Sequence, residues 1–99
     1  MNYDLTVLNG INDLDKYDDN VDVEITLADN RVFSATFFTL ENIKNLLLSY
    51  KATGECANGL YFWAKDMIIV KELDEDTLRK TINDLIDSEE LYSCCSHIR

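Results

Sequence analysis

The residues best suited to chemistry in this sequence are carboxylates: Asp13, Asp15, Asp18, Asp19, Asp22 and Glu24 crowd into one short stretch. Counted from Asp13, the residues Asp13, Asp15 and Glu24 stand at positions 1, 3 and 12 of a calcium-binding loop. The match ends there. Position 5 is Tyr17, position 6 is Asp18 where the sharp turn requires glycine, and Glu24 falls inside a strand pattern rather than at a helix start. The stretch reads as a solvated acidic segment, and no metal is expected in it. Cys94, Cys95 and His97, with the distant Cys56, supply zinc-ligand side chains. Adjacent cysteines are poorly placed to chelate one tetrahedral ion and the usual C-x-x-C pair is missing, so they read as ordinary reduced thiols.

Nucleophilic catalysis fares no better. Cys56 needs a base, and the single histidine, His97, stands two residues from the end of the sequence. A glycine-rich phosphate loop, a Ser-His-Asp set and a His-Glu-x-x-His helix are all lacking. The expectation is a protein that is not an enzyme and needs no cofactor.

The 99 residues carry a net charge of −10, unevenly placed. Residues 1–29 hold eight acids against Lys16, and residues 72–99 hold eight against Arg79, Lys80 and Arg99, whereas residues 30–71 are close to neutral. Such a field repels nucleic-acid phosphates and anionic lipid and favours a basic protein partner. The cluster Tyr61-Phe62-Trp63 would stack bases in a basic setting; beside this charge it reads as core or interface. No stretch approaches the ~20 apolar residues of a membrane span, and Met1-Asn2-Tyr3-Asp4 lacks the character of a signal peptide. With an odd number of cysteines as well, a cytoplasmic protein is expected.

Positioning these side chains falls to a single domain over residues 1–99, since there is no proline, repeat or low-complexity run to mark a linker. Tyr3 to Leu8 alternates as a short strand, and Asn9-Gly10 breaks it. Val21, Val23, Ile25 and Leu27 alternate with polar residues, the period of a half-buried strand, and Arg31 to Phe38 returns as its hairpin partner. A three-residue loop at 28–30 sets Ile25 opposite Phe33, Val23 opposite Ala35 and Val21 opposite Phe37, all six on one face; a two-residue loop would mix faces. Asn30 then takes the left-handed region.

Thr39 is a helix N-cap, Leu40, Ile43, Leu46, Leu47 and Tyr50 recur at helical spacing, and Gly54 terminates. Leu60–Ala64 and Met67–Lys71 read as a second hairpin turning at Lys65-Asp66, and Asp74 caps a last helix with Leu78, Ile82, Leu85 and Ile86 inward. Leu91–Cys95 offers a short edge strand. The fold expected is α+β, a mainly antiparallel sheet of four or five strands in ββαββα order with two packed helices.

Thr36-Phe37-Phe38-Thr39-Leu40-Glu41-Asn42-Ile43, Thr53-Gly54-Glu55-Cys56 and the run Tyr61 to Val70 together resemble a family of short, uncharacterised bacterial proteins over residues 21–90. The resemblance implies a bacterial single-domain protein and supplies no activity.

Two functional expectations follow, with a metal-binding module as a third alternative behind them. The first is a non-enzymatic inhibitor, immunity-type or regulatory module that docks on a basic protein through Asp13, Asp15, Asp18, Asp19, Asp22 and Glu24 or the last helix. The second is a homodimer through the second hairpin. There, Tyr61, Trp63, Ile68 and Val70 are expected in the core, and Phe62 and Ile69, with Phe38, on a contact surface.

Overall fold

In the computed structural model, which describes residues 2–8 and 10–99, β1 (Tyr3–Val7), β2 (Asn20–Leu27) and β3 (Val32–Thr39) form an antiparallel meander. The break expected at Asn9-Gly10 falls partly on Asn9, outside the described residues. The β2–β3 hairpin has the expected register, Ile25 opposite Phe33, Val23 opposite Ala35 and Val21 opposite Phe37. Asn30 lies at φ 71°, and Asp29 steadies the loop by accepting the Arg31 N–H at 3.1 Å. All six facing apolar residues are buried.

The cover for that face is α3 (Glu75–Asp87). Asp74 caps it by accepting the Thr77 N–H at 2.7 Å, and Leu78 and Ile82, one turn apart, are fully buried against the sheet. Leu85 and Ile86 continue the stripe at the edge of the core. The one-turn α4 (Leu91–Cys94) closes the end with Leu91, and β5 (Ser96–His97) returns antiparallel to Phe33 and Ser34 of β3. The tail expected as an edge strand over Leu91–Cys95 thus begins as a helical turn and pairs two residues later. Burying each large core side chain contributes about 1.5–3 kcal/mol. No helix among the described residues is long and apolar enough to cross a membrane.

The second hairpin does not form. Leu60–Ala64 is not a strand, and β4 (Met67–Val70) pairs parallel with β3, Thr36 opposite Met67 through Thr39 opposite Val70. The reason lies in the competing edges. A lone two-stranded hairpin is marginal in water, whereas the unoccupied edge of β3 lets Ile68 lie beside Phe37 and Val70 beside Thr39, against an existing core. The fold is accordingly α+β with a mainly antiparallel five-stranded sheet, and β4 and β5 share the outer edge of β3 end to end.

Of the two helices expected to pack on the sheet, only α3 does so. The helix α1 (Leu40–Thr53) has no buried residue, and its main packing partners are the one-turn α2 (Glu55–Gly59) and the end of β3 from which it springs. One sheet face is already taken by α3. The other presents Asp22, Glu24, Ser34 and Thr36, which offer an apolar helix nothing to bury against. The molecule is therefore long, 45 × 25 × 22 Å.

Thr39 fastens α1 to the body. It is 1% exposed, and its hydroxyl oxygen accepts the N–H groups of Asn42 at 3.2 Å and Asp19 at 3.4 Å. Thr39→Ala leaves both donors without that partner and is expected to cost about 1–2 kcal/mol, read as a lower urea midpoint, with Thr39→Ser recovering most of it. An alanine variant as stable as the native chain would remove this cap from the account.

Candidate protein-interaction surface

From Leu40 to Ile69 no residue is buried, although the segment is rich in leucine, isoleucine and aromatic residues. This crossover lobe runs from the end of β3 through α1 and α2 to β4. Its first part is a regular helix for local reasons. Thr39 caps the start, Glu41 and Lys51 suit the two ends of the helix dipole, and Gly54, at φ 87°, donates its N–H to the Tyr50 carbonyl at 2.8 Å.

Beyond Gly54 the chain makes a left-handed turn, with Cys56, Ala57 and Asn58 at φ 47°, 51° and 62°. Each such non-glycine residue costs about 1–2 kcal/mol. The turn folds Gly59 back onto α1, where an added Cβ would stand 2.3 Å from the Leu47 carbonyl oxygen, so only glycine fits. Residues 61–66 then alternate. Phe62 points inward, its ring 5.2 Å from Phe38 and 6.4 Å from Tyr50, while Tyr61, Trp63 and Lys65 point to solvent. Leu60 is 82% exposed and Leu40 and Trp63 are each 69% exposed; Leu48, Tyr61 and Ile69 are also open.

This arrangement corrects the expected face assignment. Tyr61 and Trp63, placed in the core by the hairpin reading, lie outside it, and Ile68 and Val70 alone belong to the core side. Of the three residues proposed as a contact surface, Phe38 is buried at 5% exposure, Phe62 is half-buried as the clasp between sheet and lobe, and Ile69 is exposed. The lobe is also neutral. Glu41, Glu55 and Asp66 balance Lys44, Lys51 and Lys65, so the whole charge of −10 belongs to the rest of the chain.

Most of the acidic residues are engaged within the chain. Asp15 accepts the N–H groups of Tyr17 at 3.1 Å and Asp18 at 3.2 Å, and Asp19 accepts those of Asp15 at 3.0 Å and Asn20 at 2.8 Å. Asp18 receives the side-chain amides of Asn45 at 2.8 Å and Asn42 at 3.3 Å, tying the loop to α1. Asp22 accepts the Thr36 hydroxyl at 2.6 Å, and Glu24 pairs with Arg99 at 2.9 Å. Asp13 is exposed. Lys16 holds the loop's far side, 3.4 Å from Asp74 and 3.6 Å from Glu72. Its hydrogen bond to Asp74, with the nearby Glu72 charge, raises the lysine pKa, while the Thr77 N–H lowers that of Asp74. Among the described residues no three acidic, histidine or cysteine side chains come together to hold a metal.

Cys94 and Cys95 have their sulfurs 4.0 Å apart, and burial, reinforced by Cys94, pushes the Cys95 thiol up to about 12, where it stays protonated and unreactive. His97 stacks on Phe33, with 4.9 Å between ring centroids. No family model matches the chain, and no curated protein or solved structure does.

The surface can bury apolar side chains and aromatic anchors beside a strongly acidic body. Sequence reasoning found the split in charge and the apolar run. It missed that α1 stands clear of the sheet, for which the available signal was the polar set Asp22, Glu24, Ser34 and Thr36, which gives a second helix no bed.

Proposed function

We propose that this protein is a non-enzymatic interaction module, of inhibitor, immunity or regulatory type, that docks on a basic protein in the bacterial cytoplasm. The observation that carries the reading is the crossover lobe. A segment this apolar gains little from exposure, and a docked partner would supply the cover it lacks among the described residues. Tyr61 and Trp63 are the anchors such a surface uses, because a buried aromatic ring supplies large contact area at small entropic cost. The acidic body beside the lobe steers a basic partner toward it and repels anionic ones. The site thereby shifts from the carboxylates of residues 13–24, most of them occupied by partners within the chain, to the lobe, with those charges as its long-range field.

The test is capture on the immobilised chain from cells of the source bacterium, over a salt series from about 0.05 M to about 0.5 M. A basic protein retained at low salt and released as salt rises, and not retained by the double variant Leu48→Asp, Leu60→Asp, is the expected result. Retention indifferent to salt removes the electrostatic half of the reading, and retention by the double variant removes the lobe.

A further inference from the structure

We propose that two copies of this chain join edge to edge through β4, so that their five-stranded sheets become one continuous sheet. This goes beyond the docking of a basic protein and rests on a different feature, the hydrogen-bonding phase of β4. The Thr36 N–H donates to the Asp66 carbonyl at 3.0 Å, and Thr36 lies opposite Met67. In a parallel ladder that phase turns the N–H and C=O of Ile68 toward β3 and leaves those of Met67 and Ile69 pointing to the outer edge. Among the described residues no loop or tail supplies these outward groups with a backbone partner.

An edge of this kind is usually guarded by charge, proline or a bulge. The other outer strand, β1, carries Asp4 and lies in the acidic part of the chain. The four residues of β4 are Met-Ile-Ile-Val with no guard, and Ile69 is 48% exposed. The occupant that fits is a second copy. The residues that flank β4, Lys65-Asp66 before it and Lys71-Glu72 after it, sum to zero charge, so a second copy meets no local excess of like charge at this edge. The strand also complements itself. With an antiparallel two-fold axis at Ile68, Met67 faces Ile69 of the other copy and Ile69 faces its Met67, so outward groups meet outward groups in two hydrogen-bonded pairs. Ile68, only partly covered on the core face, then meets its own counterpart.

Four residues per copy form a small contact, well under the ~800 Å² per partner of a standard interface, so a dimer with Kd on the order of 1–100 µM is expected. The experiment is sedimentation equilibrium of the full chain from about 1 µM to about 1 mM, with amide hydrogen exchange at both extremes. Dimerisation, with exchange at Met67 and Ile69 slowed at least about tenfold at high concentration while the α1 amides are unchanged, supports the proposal. Ile69→Pro removes an outward N–H that β3 does not use and should weaken the dimer at least about tenfold. Should that variant misfold, Ile69→Lys places a guarding charge on the edge with the backbone intact and should do the same. A strict monomer at about 1 mM overturns the proposal, as does a dimer whose Met67 and Ile69 amides exchange unprotected, or one that both folded variants preserve. Capture of a basic protein by the native chain is scored separately, so either idea can fail without the other.

Discussion

Phe37→Ala is expected to remove about 3–5 kcal/mol of folding stability, out of the ~5–15 kcal/mol that a domain has in total. Phe37 is fully buried, opposite Val21 on one side and Ile68 on the other, at the centre of the only well-covered sheet face among the described residues. Truncation leaves a void that two paired neighbouring strands cannot collapse to fill, so the cost combines lost transfer energy with the cavity. Urea unfolding measures it: the midpoint should fall steeply with little change in slope. Leu60→Ala, at an 82% exposed position of the lobe, should stay within about 0.5 kcal/mol of the native chain. The contrast matters because the two residues are equally apolar in sequence. If Leu60→Ala proved as damaging as Phe37→Ala, the lobe would be part of the core and its availability to a partner would be lost.

Trp63→Ala is expected to do the reverse, leaving stability unchanged while weakening the proposed complex at least about thirtyfold, the effect of losing an interface hot spot. Trp63 is the single tryptophan of the chain, so its fluorescence reports this site alone. At 69% exposure, the indole should show the long-wavelength emission of a solvated ring in the dilute free chain and shift to shorter wavelength when a partner covers it. An emission already short in the dilute monomer, or a large loss of stability on truncation, would place Trp63 inside the fold and withdraw it as an anchor. Phe62 gives the internal comparison. Its ring is wedged between Phe38 and Tyr50, so Phe62→Ala should loosen the lobe rather than strip a contact from it.

Local interactions carried much of this architecture in the sequence itself. The alternation from Val21 to Leu27 fixed the β2–β3 register, because slipping Ile25 from Phe33 to Ser34 would turn every apolar side chain to solvent. Thr39, Gly54 and Asp74 announced helix boundaries through capping chemistry that involves only residues a few positions away. Leu78 and Ile82 marked the buried stripe of α3 by their spacing. What only the tertiary structure decided were choices between distant partners. Met67–Val70 is apolar at every position and reads alike as half of a hairpin or as a parallel strand; the vacant edge of β3, beside a formed core, selected the second. Asp18 looked like a free carboxylate until Asn42 and Asn45, far along the chain, arrived as its donors. The periodicity of α1 marks an apolar face, but a face is buried only where another apolar surface is there to receive it. Here α3 had already taken the sheet face that carries Val23, Ile25, Phe33 and Phe37, so α1 buried no residue fully and Tyr61 and Trp63 beyond it stayed exposed.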